Sequence, residues 1–172
     1  MPVEFIDNSV KVKAALEDAT IAFLHEAAGE LTTQTQNNMP PGHWFAQLKS
    51  AWKYNVDEAK KEAVIGNPYE ASLWTEFGTG EHSISPKGGR KGYWVYVKDS
   101  DADPVRNYNY KGGKAYTLDE AKRLVAMMRA DGLNAYYTKG QRAHRPFHKA
   151  FVANKNAIIR RADKVLKARF KE

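Results

Sequence analysis

The side chains best suited to metal or acid–base chemistry are five histidines: His25, His43, His82, His144 and His148. His144 and His148 stand four apart, a spacing that can put two metal ligands on one helix face. Pro146 lies between them, and proline belongs in the first turn of a helix, so only His148 is expected inside that helix. Glu81-His82 is the one further pair that could be proposed to complete a site. Solvated or hydrogen-bonded histidines are the better reading, and no metal site is assigned. Cysteine is absent, which excludes a disulfide framework and thiolate ligands. Glu70, Glu76 and Glu81 are carboxylates close in sequence, but an acid–base pair needs a defined geometry with its partners. Ser72 and Thr79 have no recognisable base nearby. Gly78-Thr79-Gly80 lacks the third glycine and the following helix of a dinucleotide fingerprint. Gly88-Gly89-Arg90-Lys91-Gly92 and Lys111-Gly112-Gly113-Lys114 are basic glycine loops without the Gly-Lys-Ser/Thr ending of a nucleotide-binding loop. The chain is therefore read as a non-enzyme with no cofactor.

What remains for function is surface. Four tryptophans, Trp44, Trp52, Trp74 and Trp94, are spread over four segments, and Trp and Tyr are enriched at interface hot spots. Trp52 and Trp94 sit in alternating stretches and are expected in the core. Trp44, after Pro40-Pro41-Gly42-His43, is expected in a loop as a contact residue. Charge is uneven. Residues 141–172 hold ten Lys/Arg against two acids, a formal +8, whereas the other 140 residues hold seventeen against eighteen. A concentrated basic surface suits an anionic partner, either DNA or an acidic protein face, or serves as a solvated face.

The elements that carry these residues follow from periodicity. Val3–Ile6 is a short strand candidate, and Asp7, Asn8 and Ser9 can cap the helix after it. Val12, Leu16, Ala19, Phe23, Ala27 and Leu31 share one half of a helical wheel. The polar run Thr32–Asn38 is expected to fray before Pro40-Pro41-Gly42. Trp52–Val56 and Glu62–Gly66 read as a β-hairpin turning at Asp57-Glu58-Ala59, with the first helix on one side of it. Asn67-Pro68 breaks the second strand. Tyr69–Phe77 reads as a short helix whose apolar residues Tyr69, Leu73, Trp74 and Phe77 lie on one face, and Gly78-Thr79-Gly80 ends it. His82–Gly92 is expected to be a mobile loop, and Tyr93–Val97 a strand. Thr117-Leu118-Asp119-Glu120 is a capping box opening a helix that buries Leu118, Ala121, Leu124, Val125 and Met128. Asp131-Gly132 stops it before a strand at Asn134–Thr138, so this strand–helix–strand run is expected to form a parallel βαβ unit. In the last helix, Phe147, Phe151, Ile158, Ala162 and Val165 fall within about 60° of one another and are expected to dock on the sheet. Lys149, Arg160, Lys164, Lys167 and Lys171 form a basic ridge on the opposite side. The fold class is α+β, with long N- and C-terminal helices packed on an antiparallel sheet.

Two stretches carry a family resemblance. One is the strand followed by Gly66-Asn67-Pro68-Tyr69, the short helix and Glu76-Phe77-Gly78-Thr79-Gly80. The other is Arg145-Pro146-Phe147 at the start of the long last helix. Together, and in this order, they resemble the tail-completion, or head–tail joining, family of long-tailed bacteriophages, a family of minor tail components. The loop Pro40–Ser50 departs from the family's pattern, since its Thr-Gly is absent and the Leu48/Ser50 spacing is off by one. The resemblance implies one tail-completion-like domain over residues 1–172, with an inserted strand–helix–strand segment at about 83–140. It implies a structural virion protein of the neck or upper tail, made in the host cytoplasm. Its partners would be copies of itself in a ring, sixfold to match the tail tube, and a connector, tail terminator or tube protein. Trp44, Tyr69, Trp74, Phe77, Arg90 and Lys91 are the expected subunit or partner contacts, and the basic ridge would face an acidic subunit or the DNA in the neck. The competing reading is a nucleic-acid-binding module using the basic last helix. No apolar run approaches the ~20 residues of a membrane helix, and Met1–Phe5 does not read as a signal peptide, so a membrane partner is not expected.

Overall fold

The computed structural model describes residues 7–85, 88–97 and 115–169. The strand expected at Val3–Ile6, the expected basic glycine loop Lys111–Lys114 and Lys171 lie outside them. The elements are α1 (Ser9–Asn37), α2 (His43–Ser50), β1 (Lys53–Asp57), β2 (Glu62–Gly66), α3 (Ala71–Phe77), a 3-10 turn (Gly80–His82), β3 (Trp94–Val97), α4 (Leu118–Ala130), β4 (Ala135–Thr138) and α5 (Pro146–Arg169). Helices and two antiparallel strand pairs make this an α+β fold. Among the described residues no helix is long and apolar enough to cross a membrane. The chain divides into two units, one running to Ser72 and resuming at Arg145, the other Leu73–His144.

In the first unit β1 and β2 form the expected hairpin, with Tyr54 opposite Ile65 and Val56 opposite Ala63. Its turn is closed by the Lys60 N–H donating to Asp57 Oδ1 at 3.0 Å. α1 packs on both strands, and α1 and α5 lie against each other. Met39, Leu48 and Trp52 form the buried centre, with Phe45, Ile65, Ala71 and Phe147 around them. The Trp52 and Phe147 rings stack at 5.9 Å between centroids, 4° from parallel.

Three expectations are corrected in this unit. The end of α1 does not fray: Thr32 and Thr35 are buried. Their hydroxyls donate to the carbonyls of Ala28 and Leu31, each at 2.7 Å, so both side chains enter the interior with their polar atoms satisfied. Gln36 then donates to the Trp52 carbonyl and Asn38 to that of Pro146, which makes the polar run a set of ties. Residues 43–50 are a helix, not a loop. Gly42, at φ +127°, supplies a turn that a side chain would disfavour, and the α2 carbonyl of Leu48 accepts from the Asn67 side chain at 2.8 Å. Finally, α5 lies chiefly along α1 and not on the sheet. Its inward line is Ala150, Asn154, Ala157, Ile158, Arg161 and Val165, all buried or half-buried. That line is rotated by roughly 60° from the expected one, and Phe151 is left exposed. The rotation follows from Ala150 and Ala157, small enough for close approach, and from Arg161, which reaches Glu26 Oε1 of α1 at 2.9 Å and also bonds Glu30.

In the second unit, Val95, Val97, Ala121, Val125 and Ala135 form the core. α4 begins with the expected capping box: Thr117 Oγ1 accepts from the Glu120 N–H, and the Glu120 carboxylate accepts from the Thr117 N–H. Leu118, at the first position of the helix, is exposed and not buried as expected. β3 and β4 pair antiparallel, Val95 opposite Tyr137 and Val97 opposite Ala135, so the expected parallel βαβ sense is wrong. The reason is visible at Tyr116, which pairs with Tyr93 at the start of β3 before α4 begins. The chain has already returned to that end, so α4 is not the return limb. The Gly132 turn, at φ +82°, then reverses the chain into β4.

Candidate functional site

The Glu76–Gly80 stretch forms a tight crossing with residues 139–144. The Thr79 N–H donates to the Gln141 carbonyl at 2.9 Å, the Glu81 N–H to that of Lys139 at 3.0 Å, and the His144 N–H to that of Thr75 at 2.8 Å. The Thr79 hydroxyl accepts from the Gln141 N–H at 2.9 Å. Two glycines permit the approach. Gly78 sits at φ +71°, and a Cβ there would come within 2.6 Å of the His82 carbonyl oxygen. Gly80 sits at φ +58°, and a Cβ there would overlap the Lys139 carbonyl and the Trp94 ring. The motif read from sequence as a helix-ending turn does end α3, and is also the seam of this unit. Nothing in the sequence marks Lys139-Gly140-Gln141 as its partner, except a lone glycine after a strand.

Glu81 organises the next loop. Its Oε1 accepts from the Gly92 N–H at 3.0 Å and its Oε2 lies 3.5 Å from Lys139 Nζ. The Gly92 N–H first, then Lys139, hold this carboxyl below the ordinary glutamate range. Arg90 lies over the Trp94 ring at 5.4 Å from its centroid. The described part of the loop expected to be mobile is thus tied to the unit by its Gly92 end.

α3 is built inside out. Its inward residues are polar: Ser72, Thr75 and Glu76 are buried, Thr75 to 1% exposure. Its outward residues are large and apolar: Leu73 is 56% exposed, Phe77 46% and Trp74 43%. Ile84 is exposed as well, and its N–H donates to the Phe77 carbonyl at 2.8 Å, which puts it beside that patch. The one-face spacing read from the sequence is real, but the face looks outward.

The other expected contact residues are placed as follows. Trp44 is exposed on α2 and Lys91 is exposed beside Arg90. Tyr69 is exposed, its hydroxyl accepting from Gln47 at 3.0 Å. On α5, Lys149, Arg160, Lys164 and Lys167 are exposed, and Lys167 donates to Asp163 at 2.7 Å. A second exposed line on the same helix, Val152, Ile159 and Leu166, escapes the sequence reading. Its signal is the repeat of seven, which keeps three side chains within about 40° over four turns. Among the described residues no three His, Asp or Glu side chains stand close enough to share a metal ion. The chain matches no family model, no curated protein and no solved structure.

Proposed function

We propose that this chain is a structural virion protein of a tailed phage or prophage, acting in tail completion and head–tail joining through ring assembly at the neck. The observation that carries the reading is the outward apolar face of α3. Contiguous exposed apolar side chains mark interaction surfaces, and here they lie within the Tyr69–Gly80 stretch on which the family resemblance rests. A helix that buries Thr75 and Glu76 while exposing Trp74 and Phe77 is poorly explained by the stability of the isolated chain. It makes sense where a neighbour covers it. The work is done by fitted surfaces, with no covalent chemistry.

The test is genetic and then biochemical. Interrupting the gene should leave heads and tails unjoined or tails unfinished, and adding purified protein to that lysate should restore intact particles. Intact tailed particles in its absence would remove the basis of the proposal. The competing reading rests on the exposed Lys149, Arg160 and Lys164. It predicts affinity for duplex DNA that falls with salt at a slope near the number of phosphates neutralised. Lys167 is drawn to Asp163, which leaves the ridge one fewer uncommitted charge than its sequence implies.

A further inference from the structure

The β3–β4 pair has an outer edge along β4. Tyr93 exchanges both backbone bonds with Tyr116, at 2.9 and 2.8 Å, so its peptide groups point away from β4. Peptide direction alternates along an antiparallel strand. Trp94 and Tyr96 therefore bond to Thr138 and Tyr136, their partners in register. The N–H and C=O groups of Ala135, Tyr137 and Lys139 then point outward. An edge of this kind is a template for another strand. The sequence suits that use: Gly132-Leu133-Asn134-Ala135-Tyr136-Tyr137-Thr138 carries no charge and no proline, and Tyr and Thr favour strands.

The unit covers this edge with its own groups. The Lys139 carbonyl accepts from the Glu81 N–H at 3.0 Å, and the Ala135 carbonyl accepts from Arg129 Nε at 2.8 Å. Arg129 belongs to α4, which packs on the face bearing Val95, Val97 and Ala135. Tyr136 points to the opposite face, yet Arg129 Cζ lies 5.2 Å from the centre of its ring. The arginine side chain therefore wraps round the outer side of β4. Tyr137 is 39% exposed, and among the described residues no strand pairs with its outward side.

We infer that Arg129 guards β4 against strand addition by the β4 of a second copy of this chain. In the two-fold register centred on Tyr136, Ala135 of each copy faces Tyr137 of the other, and the Glu81–Lys139 bond is undisturbed. Each Ala135 carbonyl would accept from the other copy's Tyr137 N–H, and that carbonyl is the one Arg129 holds. Two-fold pairing of one edge with itself closes at two chains. The guard is independent of ring assembly at the neck.

Arg129→Met keeps a long stem but donates no hydrogen bond, and Arg129→Ala is the second variant; circular dichroism melts establish that each is folded. In sedimentation velocity both should gain species of twice the wild-type mass at the same concentration. Their Tyr137 amide should exchange more slowly as concentration rises. Tyr137→Pro removes the donating N–H and leaves the β3 ladder intact, since that group points outward. The double variant Arg129→Met/Tyr137→Pro should therefore return to the wild-type size. Arg129 variants that sediment as the wild type does, or association that survives Tyr137→Pro, overturn the guard. Loss of folding in both Arg129 variants overturns it too, because the contact is then a support of the fold.

Discussion

Gly80 sits at φ +58° with the Lys139 carbonyl and the Trp94 ring where a Cβ would go. Gly80→Ala combines left-handed strain with a backbone clash, each from the short catalogue of large effects. It is expected to destabilise by roughly 2–3 kcal/mol, read as a lower urea midpoint with little change in slope. Its neighbour Glu81 gives a pH signature. The folded-state pKa is depressed by the Gly92 N–H and Lys139, so the stabilisation is present above the ordinary glutamate value of about 4.3 and is lost as pH falls through the lower folded value. Glu81→Gln should therefore lower the melting temperature at pH 7 and approach the wild-type value near pH 3, so that part of the acid fall is flattened; an unchanged acid slope would show that this carboxylate is not linked to folding. Residues of this kind are half legible in the sequence. Gly78-Thr79-Gly80 reads correctly as the end of a short helix, because helix termination is local. The segment it crosses lies some sixty residues on, and no local pattern announces a backbone crossing at that separation.

Elements read well where their signals are local and poorly where tertiary packing decides. The Thr117–Glu120 capping box and the 57–61 turn are short-range hydrogen-bond patterns, and both form as read. Thr117→Ala should lower stability by about 1 kcal/mol, and amide exchange should be faster in the first turn of α4 than in its last. The end of α1 misleads because Thr, Gln and Asn look like fraying residues until their partners are known. Thr35 is fully buried and donates to the Leu31 carbonyl. Its buried companions on α1 and α5, among them Ala27, Ala28, Thr32 and Ala150, are small. Thr35→Leu should therefore overpack this region, by roughly 1–3 kcal/mol, despite being the more hydrophobic residue; a stabilised variant would mean the region has room to spare. The sense of the β3–β4 pair is also decided at a distance, since the Tyr93–Tyr116 bridge returns the chain before α4 starts. The inside-out α3 shows the limit of periodicity most directly. Spacing identifies a face, but which way that face looks depends on what covers it.

At the scale of the whole molecule the chain leaves one unit at Ser72 and re-enters it at Arg145. The family resemblance implies an insert at about 83–140. The second unit runs from Leu73 to His144, and the Glu76–Gly80 stretch is bonded to residues 139–144. Its two ends lie side by side, through the His144 N–H and the Thr75 carbonyl, as in domains that interrupt a host chain. Each unit also draws its buried centre from its own segments: Val95, Val97, Ala121, Val125 and Ala135 in one, Met39, Leu48 and Trp52 in the other. Stability in such a molecule is expected to be partitioned. Val125→Ala removes two methyl groups from a nearly inaccessible site and should cost roughly 1–3 kcal/mol. Native-state hydrogen exchange would then show weaker protection for the amides of 121–138, while those of 27–36 in α1 keep their wild-type rates. Equal losses in both regions would make the chain a single cooperative body.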